Sequence, residues 1–353
     1  MIPAVLACVV VQSVSIPPVQ ATIHPEPTPA ASVAEAWRVF ALLNPPGKDR
    51  PSAWETWPSA ADTFRRDGAD PGPWQPVSHP DTGRFELITP ADFPNLRRIV
   101  HGRMVPVTDP LAVAKRLIEV RLNSVSYDFI RSRELYTVDG QRRAVAQGKV
   151  EFPSGSIQLK AGWRPIAEAE RPHYHTMTLR LADGSIRLYG LVALNIAIKT
   201  LSGWLWASFE HTGVVPLGQP GADPVNTGPV GTVWQHYRLR GTQIAYVDAA
   251  DQPVLLGNAE LEAGLGNSAS CMTCHARATL SIHGEPSRLP VFAPAPPGVR
   301  RGYVGTPNPG WFGHADAQGR WQTTYASLDF VWSLSQAAEH GPALSSHAVS
   351  TEH

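Results

Sequence analysis

The chain has 353 residues, 43% of them hydrophobic, and its 30 Lys and Arg balance 30 Asp and Glu to a formal net charge of +0. A chain of this size builds a sizeable core in one large domain or two modest ones. The five lysines (Lys48, Lys115, Lys149, Lys160 and Lys199) are scattered, with no basic block and no acidic tail, which excludes nucleic acid and anionic membrane surfaces as expected partners.

Residues 1–21 form an apolar run ending in Val19-Gln20-Ala21, a small-residue cleavage pattern that reads as a secretory signal peptide. Cys8 belongs to that run. No later stretch has about 18 consecutive apolar residues, so no stable membrane insertion is expected once the signal is cleaved. Residues 22–31 are proline-rich and read as a linker. Ser32 and Glu35 have capping-box spacing, which predicts a helix over Val33 to Leu43. From Asn44 to Asp81 the chain is dense in Pro, Gly, Asp and Trp, without periodicity, and reads as an ordered loop region. Thr108-Asp109-Pro110 has the form of a helix start, and Leu111, Ala114, Leu117, Ile118 and Leu122 predict a helical face behind it.

Between Val125 and Val247 the pattern turns to short alternating runs. Ser156 to Ala161, Leu191 to Ile198, Trp204 to Phe209 and Thr242 to Val247 read as strands. Thr176 to Leu181 joins Ser185 to Leu188 through a two-residue turn at Asp183-Gly184. The expected fold class is α+β: an antiparallel β-rich domain with N-terminal helices over residues 32–250, then a mainly helical and loop C-terminal segment over 251–334. Glu285 to Gly310 is a long Pro/Gly-rich loop, and 335–353 is a polar, flexible tail.

The chemistry concentrates in Cys271-Met272-Thr273-Cys274-His275. Two thiols three positions apart can form thioethers to one porphyrin, and the histidine directly after them can coordinate the iron, the attachment pattern of haem c. Two cysteines placed at random would meet this pattern roughly once in five thousand chains, so coincidence is set aside. Cys271, Cys274 and His275 are therefore the candidate cofactor-binding residues, for one covalently attached haem, which makes 251–334 the expected haem-binding segment and Glu285 to Gly310 a loop suited to wrapping the porphyrin. Three other readings remain. A zinc site would need a fourth ligand such as His283, a redox dithiol would want a βαβ context, and a plain disulfide is the third.

The chain resembles a family of exported bacterial cytochrome c-like proteins of poorly defined function, over roughly Leu122 to Leu334. The likeness rests on Leu135 to Gln141, Phe152 to Ser156 with Lys160 to Arg164, Trp204 to His211, Tyr237 to Gln243, Leu256 to Asn258 ahead of Cys271, and Asp329 to Leu334. The resemblance implies haem binding, a redox role and export to the periplasm, where thioether ligation is carried out; it names no substrate. Members often carry a histidine where this chain has Asn195.

No methionine follows Met272, so a second axial ligand would come from Met104, Met177 or a histidine among His173, His175, His211, His236, His283 and His314. His211 is preferred, because Glu210 beside it could orient the imidazole. With both axial positions filled the protein is an electron carrier; with one open it is a haem oxidoreductase acting on a small molecule; a haem that only staples a binding module is the third possibility. The partner is accordingly either a redox protein or a small-molecule substrate. Gly264-Leu265-Gly266 is set aside as a dinucleotide fingerprint, since no buried strand precedes it.

Overall fold

The computed structural model describes residues 28–45, 51–77, 116–180, 184–200, 203–214, 228–258, 260–262, 265, 268–283, 287–296 and 301–340, with the backbone of three short strands between 86 and 106. The signal and most of the linker and tail lie outside the described residues. Helix α1 spans Pro29–Leu43 and the single turn α2 spans Ala60–Thr63. Strands β1 (Glu86–Ile88), β2 (Arg97–Val100), β3 (Arg103–Pro106) and β4 (Arg116–Leu122) follow. Helices α3 (Ser124–Ser132) and α4 (Val138–Ala146) then lead to β5 (Ile157–Pro165), β6 (Thr176–Arg180), β7 (Ile186–Ile198), β8 (Leu205–His211) and β9 (Tyr237–Gln243). The five-residue helix α5 is Cys271–His275.

Seven strands form one antiparallel sheet in the order β1-β4-β5-β7-β8-β9, with β6 also paired to the long β7. The fold is α+β. Period-two alternation divides the sheet into two buried faces. Leu159, Ala161, Leu194, Ile196, Ala207 and Phe209 meet Phe40, Leu43 and Trp54 of the N-terminal layer. Ala197 and Trp206 point the other way, into a core shared with Ile130, Leu135, Leu256, Met272, Leu328 and Val331. That second core joins residues from both sides of position 250. Among the described residues, no helix is long and apolar enough to cross a membrane.

Four local expectations need correction. Arg116–Leu122 is a strand, paired to β1 and β5, and not the end of a helix. Both faces of β4 are covered, and its α1-side face carries the buried ion pair Arg121–Glu119 at 2.7 Å. Glu119 also accepts from Trp163 Nε1 at 2.9 Å, and Arg121 donates to the Trp57 carbonyl. Charges on a buried face erase the apolar/polar alternation that announces a strand, and Leu117, Ile118 and Leu122 happen to fit helical spacing. Helix α1 begins earlier than expected: Thr28 is its cap, accepting from Ala31 N at 3.1 Å, so residues 29–31 are helical and not linker. The last sheet strand is Tyr237–Gln243, overlapping the expected Thr242 to Val247 only at its end. Arg180 pairs with Ile186, so the β6–β7 connection is longer than a two-residue turn.

Candidate functional site

Five residues cannot sustain a helix by hydrogen bonding alone, and α5 is held by its neighbours. Ser270 caps it, its Oγ accepting from Thr273 N at 3.1 Å. Gln243, the last residue of β9, donates to Ser270 Oγ at 2.6 Å and accepts from Met272 N at 3.0 Å, which moors the turn to the sheet. Thr273 Oγ1 donates to the Gly305 carbonyl at 2.7 Å. Cys271 N donates to Leu256 O at 3.0 Å, continuing a parallel bridge between Leu256 and Ser270.

Cys271, Cys274 and His275 open onto one cavity of about 410 Å³. The sheet supplies one wall through Ile118, Val120, Gln158, Lys160, Asn195 and Trp206. The segment before α5 adds Leu261, Glu262 and Leu265, and later segments add Phe292 and Phe330. Binding cavities for organic molecules fall at roughly 300–1,000 Å³, mostly apolar with a few placed polar groups.

His275 has one ring nitrogen committed. Its Nδ1 lies 2.8 Å from the carbonyl of Phe330, which has no proton to give, so Nδ1 carries the hydrogen and Nε2 keeps its lone pair. The ring lies 4.3 Å from that of Trp206. Burial pushes the imidazole down to about 4, so at neutral pH it is uncharged and able to donate to a metal.

The carbonyl of Phe330 is itself held in place. Asp329 and Phe330 both have left-handed backbone, φ 52° and 68°, an unfavourable conformation for a bulky residue such as Phe. The Asp329 carboxylate takes a buried ion pair from Lys199 Nζ at 2.8 and 2.9 Å and accepts from Phe152 N at 2.7 Å. Those bonds pin the turn that presents the acceptor to His275. Burial raises the Asp329 carboxyl above the usual carboxylate range although Lys199 pulls the other way.

The thiols are free and half-buried. Cys271 Sγ donates to Leu256 O at 3.1 Å, and Cys274 Sγ accepts from Tyr303 N at 3.2 Å. Burial raises both thiols above their ordinary range, most strongly Cys271. Neutral thiols suit addition to an alkene carbon. A reactive redox pair would have them lowered, and among the described residues no group of three or more His, Cys, Asp or Glu could hold a metal ion. Gln158 Nε2 and Asn195 Oδ1, both in the cavity wall, are buried without a hydrogen-bond partner, one a donor and the other an acceptor. Size, apolar lining, two neighbouring thiols and a bare imidazole nitrogen fit a porphyrin.

His211 is not brought to this cavity. Trp206, Ser208 and Glu210 share one face of β8, so His211 falls on the opposite face with Phe209. It stacks on Tyr174 at 3.8 Å, its Nε2 meets His173 O at 3.0 Å, and its Nδ1 accepts from Gly213 N. Glu210 pairs instead with Arg238 at 2.7 Å and Arg240 at 3.5 Å. His175 binds Glu55 at 2.6 Å, and His173 lies 5.0 Å from His236, away from the cavity as well. Met177 is in the α1-side core, while the side chain of Met104 lies outside the described residues.

The sequence-based reading passed over Gln158, Lys160, Glu262, Trp206 and Phe330, and Asn195 entered it only as a departure from relatives. For β5 a signal existed: with Ile157, Leu159 and Ala161 on one buried face, Gln158 and Lys160 must stand together on the other. No protein-family model, curated protein or solved structure matches this chain.

Proposed function

We propose that this protein is an exported, monohaem c-type cytochrome that exchanges electrons with a redox partner in the periplasm. The observation that carries the reading is the shared cavity: two thiols and an imidazole whose Nε2 keeps its lone pair, all lining one mostly apolar space of about 410 Å³. Each thiol would add across a vinyl group, forming a C–S bond and passing its proton to the neighbouring vinyl carbon, with no net gain or loss of electrons. Haem, when bound, supplies one-electron exchange. The chain's residues do the rest. Cys271 and Cys274 anchor, His275 coordinates, and the Phe330 carbonyl strengthens that imidazole as a donor. Trp206 and Leu261, both buried in the cavity wall, would keep water from the ring, and that burial would contribute to setting the potential.

The test is a haem stain of denatured protein expressed with export and cytochrome maturation. Wild type is expected to stain and to carry the mass of one added macrocycle, while C271A/C274A loses both. A bare polypeptide in the wild type, or a stain that survives in the double variant, overturns the reading.

A further inference from the structure

We propose that His173 and His236 form a surface site for one exchangeable divalent transition-metal ion of the kind imidazoles favour, zinc, nickel or copper, with water in its remaining coordination positions. The site stands apart from the cysteine cavity and does not depend on the haem reading.

His173 ends the short 3-10 helix Glu168–His173, and His236 ends another, Val233–His236, so each stands just ahead of a strand, β6 or β9. The end of β8 holds both backbones. His211 Nε2 donates to His173 O at 3.0 Å, and its neighbour Thr212 gives its N–H to His236 O at 2.7 Å. Two segments far apart in sequence are thereby set side by side before any ion arrives. Their rings lie 5.0 Å apart, centre to centre. A metal bound at about 2 Å from an imidazole nitrogen lies about 3.2 Å from the ring centre, so this spacing suits a nitrogen–metal–nitrogen angle of about 100°. That value falls between the right angle of square-planar copper or nickel and the tetrahedral angle of zinc.

The donor atoms are also available. Gln235 Oε1 accepts from Gly231 N at 3.2 Å, which turns its amide N–H toward His236 Nε2 at 3.4 Å. That ring nitrogen is therefore the acceptor, and its lone pair is committed only to a long contact. Burial, with His173 beside it, holds the His236 imidazole below its ordinary value, so it is uncharged at neutral pH. His173 is exposed, and among the described residues none hydrogen-bonds its ring. An ion can reach it from solvent. His211 is no third ligand, because its Nε2 serves His173 O and its Nδ1 accepts from Gly213 N. Two protein ligands leave the other positions to water, which is what makes the ion exchangeable.

The probes are zinc and nickel ions, titrated by calorimetry into untagged haem-loaded protein, or into C271A/C274A should the chain carry no haem, so that thiols do not compete. The parent protein is expected to bind one ion that the added pair H173A/H236A abolishes. Each single variant should weaken binding by at least about tenfold, a loss that even outer-shell partners of a metal produce. Zinc should raise the melting temperature of the parent and not that of the variant lacking both rings, since an ion held by the folded pair stabilises the fold. H173A changes an exposed ring and should melt with its parent in chelator, so its lost affinity reports on the site and not on folding. Copper(II) should show electron-spin coupling to two imidazole nitrogens. Zinc binding that survives H173A/H236A unchanged, or a parent protein that binds no ion, overturns the inference and leaves the haem reading untouched.

Discussion

Replacing Lys199 by Met removes one half of a buried ion pair whose members are each about one-twentieth exposed. Two N–O contacts of 2.8 and 2.9 Å disappear and the Asp329 carboxylate stays behind, still accepting from Phe152 N. Stranding a buried charge in this way costs about 3–5 kcal/mol. D329N alone strands the ammonium instead, at a comparable cost. In K199M/D329N both charges are gone, and asparagine tolerates the left-handed backbone at 329 and still offers an oxygen to Phe152 N. The double variant should therefore lose only about 1 kcal/mol, so the two single costs fail to add by several kcal/mol. Urea unfolding followed by tryptophan fluorescence measures this, provided the slope is unchanged between variants. The pH dependence supplies a second check. Burial holds the Asp329 carboxyl above its unfolded value, so its ionisation is disfavoured in the folded state and its contribution declines as pH rises through the raised value. Without Lys199 that penalty deepens at neutral pH, and the deficit of K199M should shrink on acidification. Single variants within about 0.5 kcal/mol of wild type, or costs that simply add, would refute the argument.

Two further outcomes follow from other parts of the molecule. Burial brings His211 from 6.5 down to about 4, so the folded protein binds its proton less readily than the unfolded chain. Its contribution is complete above about pH 6.5 and drains as pH falls toward 4, by about 3 kcal/mol at the limit. H211F, which keeps a ring against Tyr174, should reduce the slope of stability against pH across that window by roughly half in the haem-free chain, leaving the contribution of His275, which burial also brings to about 4, and that of His236; an unchanged slope counts against this account. In α4, a Cβ at Gly140 would sit 1.9 Å from the Glu134 carbonyl oxygen, a backbone atom that cannot swing aside. G140A is expected to lose at least about 1–3 kcal/mol by calorimetry, and a wild-type melting temperature would mean that the Glu134 turn is mobile.

What the sequence reveals here is set by how local the cause is. The cysteine pair and its histidine are contiguous, so their chemistry is visible at once. Strands β5, β7 and β8 announce themselves because one of their faces meets a uniform apolar layer. Strand β4 hides because its charged pair Glu119 and Arg121, only two residues apart, is buried by partners 44 and 64 residues away, Trp163 and the Trp57 carbonyl, that no local pattern records. The choice of His211 fails for a related reason: residues adjacent in a strand point apart, so Glu210 could never orient its neighbour, and its partners come from β9. The acceptor for His275 lies 55 residues away in sequence, and the lysine that steadies it is 130 residues from its own partner.

These separations bear on what the motif can do by itself. Helix α5 has too few residues to fix the direction of any side chain. The pose of its thiols and imidazole is imposed from outside by Gln243 at the end of β9, Leu256 before it, Gly305 after it and the Phe330 carbonyl beyond. Three of those four contacts are to backbone carbonyls, and backbone position is what a packed core determines. The core in question mixes Ile130, Leu135 and Trp206 with Met272, Leu328 and Val331, so helices α3, strand β8 and the C-terminal segment set it jointly. A change that loosens the sheet therefore reaches His275 through its acceptor, even though no strand residue supplies that acceptor. The cavity and the chemistry proposed for it belong to the whole described fold, and the five-residue motif contributes only the atoms that would bond.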